Sequence, residues 1–172
     1  IRMNNQYNET LFQVPDVYTP PVGARIMDLQ DPLSKMGKST SSEKGAVFLG
    51  DSDKETLKKV KRAVTDSLEK VAYSDDQPGV KNLLTIQASI TGKSFDELVA
   101  QYENKGYGNL KVETGELINE ELKPVREKTV QLLSDKPYIE KVLKKGADLA
   151  QAKAQKTLDK VYKEIGFFQT KT

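Results

Sequence analysis

Residues 31–45, DPLSKMGKSTSSEKG, set Lys35, Lys38 and Lys44 among four serines, Thr40 and two glycines, just before an apolar run. Nothing in that stretch packs a core, and its donors suit an anion. Lys35 and Lys38 stand three apart around Gly37. Two ammonium groups at that spacing can converge on one polyanion, while backbone N–H groups near the glycine approach it without a side chain in the way. Such a set stabilises charge rather than moving protons. Attack on a phosphorus leaves negative charge growing on the departing group, and positioned lysines bind that state better than the ground state. Lysine suits the task as a compact charge on a flexible stem. A flexible surface loop has the same composition, and the G-x-x-x-x-G-K spacing of a Walker loop is absent.

The rest of the composition narrows the chemistry further. The 172 residues hold 27 basic and 25 acidic side chains, a net charge of +2, with 37% hydrophobic and 30% charged residues. That is the profile of a globular chain, and its near balance leaves nucleic-acid binding to be argued from local clusters. Histidine and cysteine are both absent. Zinc sites of the usual kind, Ser-His and Cys-His nucleophiles and disulfides are therefore excluded, which is compatible with a cytoplasmic protein. No metal-ligating set stands out. No apolar stretch approaches the ~18 residues of a membrane span, so no membrane partner is expected.

The elements that must hold the loop change character near residue 50. Ile1 to Tyr7 reads as the end of a helix. LFQV at 11–14 and ARIMDL at 24–29 are short and β-like, separated by PDVYTPPVG, and GAVFL at 45–49 offers one more apolar run. From residue 51 the period is helical. Ser52 and Glu55 form a capping-box pattern, with Leu57, Val60 and Val64 recurring behind it. Pro78 suits a helix start and Gly92 a helix end, and Ser94 with Glu97 repeats the capping box. Leu98, Val99 and Tyr102 lead into the break NKGYG. Ile118, Leu122, Val125, Thr129 and Leu132 make a further stripe, which Pro124 is expected to kink. A last helix from about Pro137 to Ile165 carries Leu143, Ala147, Ala150, Ala154, Leu158, Val161 and Ile165, spaced for close packing against a neighbour. The expectation is a mainly α chain: residues 1–50 end a mixed α/β domain and residues 51–172 form a helical bundle.

Other candidates carry two readings each. Lys54, Lys58, Lys61 and Arg62 share one helix face, as a solvated surface or as contacts to RNA phosphates. Tyr107, between glycines, either closes a helix turn or stacks on an unpaired base. Thr65-Asp66-Ser67 reads as a turn that accepts backbone hydrogen bonds. Glu113, Glu116, Glu120 and Glu121 read as a solvated helix face rather than a metal site.

KMGKS at 35–39 resembles the KMSKS signature of the class I aminoacyl-tRNA synthetases. VGARIM at 22–27, DP at 31–32, AVTDS at 63–67, PGVKNLL at 78–84 and YENKGYG at 102–108 sharpen the resemblance to the tryptophanyl-tRNA synthetases. It implies a C-terminal portion of such an enzyme: the end of a Rossmann-like catalytic domain over 1–50 and an anticodon-binding bundle over 51–172. The HIGH-type motif and the tryptophan pocket would lie upstream of Ile1. The implied reaction joins tryptophan and ATP, with Mg2+, into tryptophanyl-adenylate and passes tryptophan to tRNA(Trp), in a cytoplasmic homodimer. By the same resemblance, Lys35 and Lys38 would be catalytic, stabilising the leaving pyrophosphate. Ile26, Lys35, Met36, Gly37, Lys38 and Ser39 would bind ATP, with backbone groups of Ile26 and Met36 facing adenine. Gly37 departs from the family's serine, giving up a hydroxyl and keeping the backbone N–H. The alternatives are the corresponding part of a tyrosyl-tRNA synthetase and a non-catalytic helical tRNA-binding module. The chain alone is expected to make no adenylate.

Overall fold

The computed structural model describes residues 1–39 and 42–167. Six helices run along it: α1 (Arg2–Tyr7), α2 (Asp53–Lys61), α3 (Pro78–Thr91), α4 (Phe95–Gln101), α5 (Tyr107–Leu133) and α6 (Lys136–Ile165). The chain is mainly α. Among the described residues there is no strand, only an antiparallel bridge between Met27 and Lys35. The β-like runs at 11–14, 24–29 and 45–49 therefore pair into no sheet. Their backbone groups go elsewhere: the Leu29 N–H donates to Gly45 (2.8 Å), the Leu29 carbonyl accepts from Val64 (2.7 Å), and Met27 is taken up by a side chain of α3. The run 24–29 meets residues 34–36 over that single bridge, and its remaining backbone groups go to Gly45, Val64 and Asn82, so the pairing does not extend into a ladder.

Local signals set the helix ends. The Ser52 hydroxyl accepts the Glu55 N–H while the Glu55 carboxylate accepts the Ser52 N–H, and Ser94 with Glu97 does the same for α4. Pro78 opens α3, and Gly92 at φ +71° closes it in the left-handed region that glycine enters without strain. α2 ends at Lys61, earlier than the stripe through Val64 implied, because the chain turns there to bring the Val64 N–H onto Leu29; Val64 is half exposed. α5 begins within the expected break, at Tyr107, and the helix continues through Pro124.

Packing divides the chain into two compact units, Thr19–Thr129 and Ile1–Tyr18 with the chain from Val130. In the first, Val80, Leu83 and Leu84 of α3 are fully buried with Val60, Leu98, Tyr102 and Leu110. Leu29 lies in the same cluster, so residues from before position 50 share a core with the helices after it. Gln87, also buried, donates to the hydroxyls of Tyr102 and Thr114 (2.8 Å each), and the Tyr102 hydroxyl donates to Glu113 (2.6 Å). Burial and the neighbouring Glu113 push the Tyr102 hydroxyl well above its ordinary range. Arg126 of α5 reaches Asp53 and Thr56 of α2 (2.9 and 2.7 Å).

In the second unit, the Asn4 carboxamide brackets the Phe12 backbone and Lys160 donates to the Thr10 carbonyl (2.6 Å). Leu11 and Val161 are buried there. The long stripe of α6 does not form the expected core: Leu143, Ala147, Ala150, Ala154 and Leu158 are exposed. The physical reason is length. α1 has six residues, about 9 Å of helix and no buried side chain, against about 45 Å for the 30-residue α6.

Candidate functional site

The segment that carries Lys35 and Lys38 is a tight hairpin tied to two helices. The Met36 N–H donates to the Ile26 carbonyl (3.0 Å), the Asp28 N–H to Ser34 (2.9 Å), and the Ser34 N–H to Asp31 (2.9 Å). Asn82 of α3 then clamps the base. Its carboxamide oxygen accepts the Met27 N–H and its NH2 donates to the Met27 carbonyl, both at 2.8 Å. Asn82 is 5% exposed, so both bonds form away from bulk water, where losing either leaves a backbone group unsatisfied.

The buried Asp28 holds the first turn. Its carboxylate accepts the N–H groups of Gln30 and Asp31 (2.7 and 3.2 Å). Gly45, across the loop, lies against that carboxylate: a Cβ there would sit 2.2 Å from an Asp28 oxygen. The close approach explains the glycine, and the Leu29–Gly45 backbone bond joins the two arms at the same level. On the far arm, Lys59 of α2 donates to the Ala46 carbonyl (3.0 Å) and pairs with Asp51 (2.7 Å), over the ring of Phe48.

Ile26 and Met36 are brought together by this pairing. Their half-buried side chains pack on the core and line an apolar cavity of about 320 Å³ with Leu29, Val47, Ile86 and Ile118. The Ile26 N–H and the Met36 carbonyl lie outside the hairpin's own bonds. Lys35, Lys38 and Ser39 are exposed and Gly37 is half-buried; Thr40 and Ser41 fall outside the described residues. Neither lysine takes part in an ion pair among the described residues. The hairpin thus fixes a rigid base and presents Lys35 and Lys38 to solvent beside it. Sequence reasoning missed the clamp residues Asp28, Asn82 and Lys59. An asparagine within the apolar run VKNLL was the available signal for Asn82.

The remaining candidates sort by their contacts. Tyr107 opens α5, donates to the Asp66 carboxylate (2.5 Å) and accepts from Gln77 (2.8 Å), so it ties a turn to a helix as one of its two readings held. Burial and the adjacent Asp66 push its hydroxyl up to about 12. Burial acts to raise Asp66, but donation from Tyr107, the Leu68 N–H and Gln77 outweighs it and holds the carboxyl below its usual range. Thr65-Asp66-Ser67 is the accepting turn expected. Lys54, Lys58, Lys61 and Arg62 are all exposed. Among the described residues no group of three carboxylates converges as a metal site, and Glu113 is engaged by Tyr102 and Gln101.

Comparison with known proteins interprets this geometry. The model of the family described as tRNA synthetases class I (W and Y) matches residues 1–123. The chain belongs to that family. A tryptophan–tRNA ligase of Clostridium perfringens is 48% identical over 165 residues, covering 96% of this chain and 49% of that protein. The Mycobacterium leprae enzyme of the same name is 42% identical over 167 residues, covering 96% and 48%. Solved structures are matched over half of their length. A crystal structure of tryptophanyl-tRNA synthetase from Mycoplasma pneumoniae superposes with a TM-score of 0.79 at 28% identity, over 97% of this chain and 50% of that one. A Campylobacter jejuni tryptophanyl-tRNA synthetase complexed with ADP and tryptophan gives 0.65 at 28%, over 96% and 50%. The chain spans about half the length of the curated relatives it matches.

Proposed function

We propose that this chain supplies the ATP-phosphate loop and the tRNA-binding helices of a tryptophan–tRNA ligase, the enzyme that activates tryptophan with ATP and transfers it to tRNA(Trp). The carrying observation is the hairpin itself: a Lys35-x-x-Lys38 pair on a base clamped by Asn82, Asp28 and Lys59. In this reading both lysines are catalytic. They follow the β- and γ-phosphates of ATP, which arrives with Mg2+, and stabilise charge on the leaving pyrophosphate. Gly37 and Ser39 offer further donors to the phosphates. The free Ile26 N–H and Met36 carbonyl are one donor and one acceptor, the complement of the N1 and N6 edge of adenine. Because Ile26 and Met36 are also core residues, nucleotide and loop share a rigid floor.

The relatives carry the tryptophan name, which favours that amino acid over tyrosine. The functional division assigns 1–50 to the catalytic domain and 51–172 to anticodon binding, in a cytoplasmic homodimer. Among the described residues no helix is long and apolar enough to cross a membrane. The test is pyrophosphate exchange by the complete ligase. Lys35→Ala and Lys38→Ala are each expected to slow exchange by about 10²-fold or more with little change in tryptophan affinity. Wild-type rates in both variants would remove the loop from the reaction. The 172-residue chain by itself is expected to show no exchange.

A further inference from the structure

The apolar cavity beside the hairpin has a chemistry that the nucleotide reading does not use. Its volume of about 320 Å³ stands at the lower end of what small-molecule sites occupy. Nine of its eleven lining residues are apolar, and the other two are Ser89 and Glu121. Two helices supply matching triplets at i, i+3 and i+4, positions that share one helix face. α3 gives Ile86, Ser89 and Ile90, and α5 gives Ile118, Glu121 and Leu122. Depth separates the two kinds of group. Leu29, Ile86 and Ile118 are buried and form the base, whereas Ser89 and Glu121 are exposed and form the mouth.

We infer that this cavity is a binding site for a small arylalkyl amine, with the ring at the base and the ammonium group at the mouth. Charge complementarity at the mouth carries the choice. The Ser89 hydroxyl donates to the Thr85 carbonyl (2.7 Å), so toward a ligand its oxygen is an acceptor. The Glu121 carboxylate is an acceptor too, and it enters no ion pair among the described residues. Two acceptors, one of them anionic, select a positively charged donor and oppose a carboxylate. The base offers no polar side chain, so burial of the apolar end drives binding while the ammonium group stays hydrated at the mouth. The Met36 thioether favours an aromatic ring over an alkyl chain. The site stands apart from the one proposed for adenine. Ile26 and Met36 line the cavity with their side chains, whereas the groups assigned to adenine are their backbone N–H and carbonyl.

The test is NMR of the 172-residue chain, labelled at its isoleucine and methionine methyls and titrated with 2-phenylethylamine at neutral pH. Signals of Ile26, Met36, Ile86, Ile90 and Ile118 are expected to shift together and to saturate, with a Kd on the order of 1 mM for a ligand of about nine heavy atoms. Met3, Met27, Ile139 and Ile165 lie outside the lining and are expected to stay in place. The neutral isostere 2-phenylethanol is expected to bind about 3-fold more weakly, the scale of an exposed ion pair, and phenylacetate more weakly still. Glu121→Gln changes an exposed side chain, so the fold is kept, and it is expected to erase the preference for the amine without altering the alcohol. Ile90→Trp fills the mouth and is expected to abolish binding of both. Adenosine at equal concentration is expected to leave the Kd of the amine unchanged. Three results each overturn the site: no saturable shift up to about 20 mM amine, equal shifts at the control methyls, or an amine preference that survives Glu121→Gln. Displacement of the amine by adenosine would make the cavity part of the nucleotide floor and overturns it as well.

Discussion

Replacing Asn82 by Ala tests whether the signature hairpin is held by α3. The substitution deletes two hydrogen bonds of 2.8 Å and leaves the Met27 N–H and carbonyl part-buried without a partner. Each such group costs about 1–3 kcal/mol, and water entering the space left by the side chain recovers some of that, so the expected loss is about 2–4 kcal/mol. Against a typical domain stability of roughly 5–15 kcal/mol that is a large fraction. With a urea m-value of about 2 kcal/mol/M, the midpoint falls by about 1–2 M. The assay is urea unfolding of the chain followed by circular dichroism, with hydrogen exchange at the Met27 amide as the local readout. Asn82→Asp sharpens it. The carboxylate still accepts the Met27 N–H but opposes the Met27 carbonyl, so it is expected to be no better than alanine at neutral pH. A midpoint shift below about 0.3 M for Asn82→Ala, with Met27 still protected, would refute the clamp and with it the account of how the loop is positioned.

Gly45→Ala is expected to cost about 1–3 kcal/mol, since its Cβ meets the Asp28 carboxylate at 2.2 Å. Asp28→Ala in the same chain is expected to relieve part of that cost, which a double-mutant cycle in urea measures; strict additivity would show that the contact is relaxed in solution. Tyr107 has its hydroxyl raised to about 12 from an ordinary value near 10, so its neutral form is favoured by folding. Its contribution is complete below about pH 10 and is lost as pH rises from 10 to 12, so the wild type is expected to lose more urea stability across that window than Tyr107→Phe. Asp66 is shifted the other way, so its contribution is present above its unfolded value near 4 and fades as pH falls below it. Asp66→Asn is expected to flatten the acid limb of the stability profile. Ser52→Ala removes the N-cap of α2 and is expected to cost about 1 kcal/mol in the same unfolding assay.

Helix starts and stops were legible because they are local chemistry. Ser52, Ser94, Pro78 and Gly92 act within one turn of chain, through bonds to their own neighbours, and no distant contact is needed to decide them. The spacing of Lys35 and Lys38 around Gly37 is local in the same way. Periodicity also marked α6, but it could not say which side of the helix is covered. An apolar stripe shows what burial would favour, whereas burial itself depends on a partner of sufficient length, and six residues of α1 do not supply one.

The sequence by itself determined the helices, their caps and the spacing of Lys35 and Lys38 around Gly37. Tertiary structure decided that the run at 24–29 stops at one bridge to Lys35, because its other backbone groups find partners at Gly45, Val64 and Asn82 instead of a continuing strand. It also decided that Ile26 and Met36 meet, that Asp28 fills the space a side chain at Gly45 would need, and that Tyr107 is spent on Asp66. Those contacts join residues 10 to 55 positions apart. Their energy comes from desolvated hydrogen bonds and close packing that exist only once the chain has folded, so no window of neighbouring residues contains them.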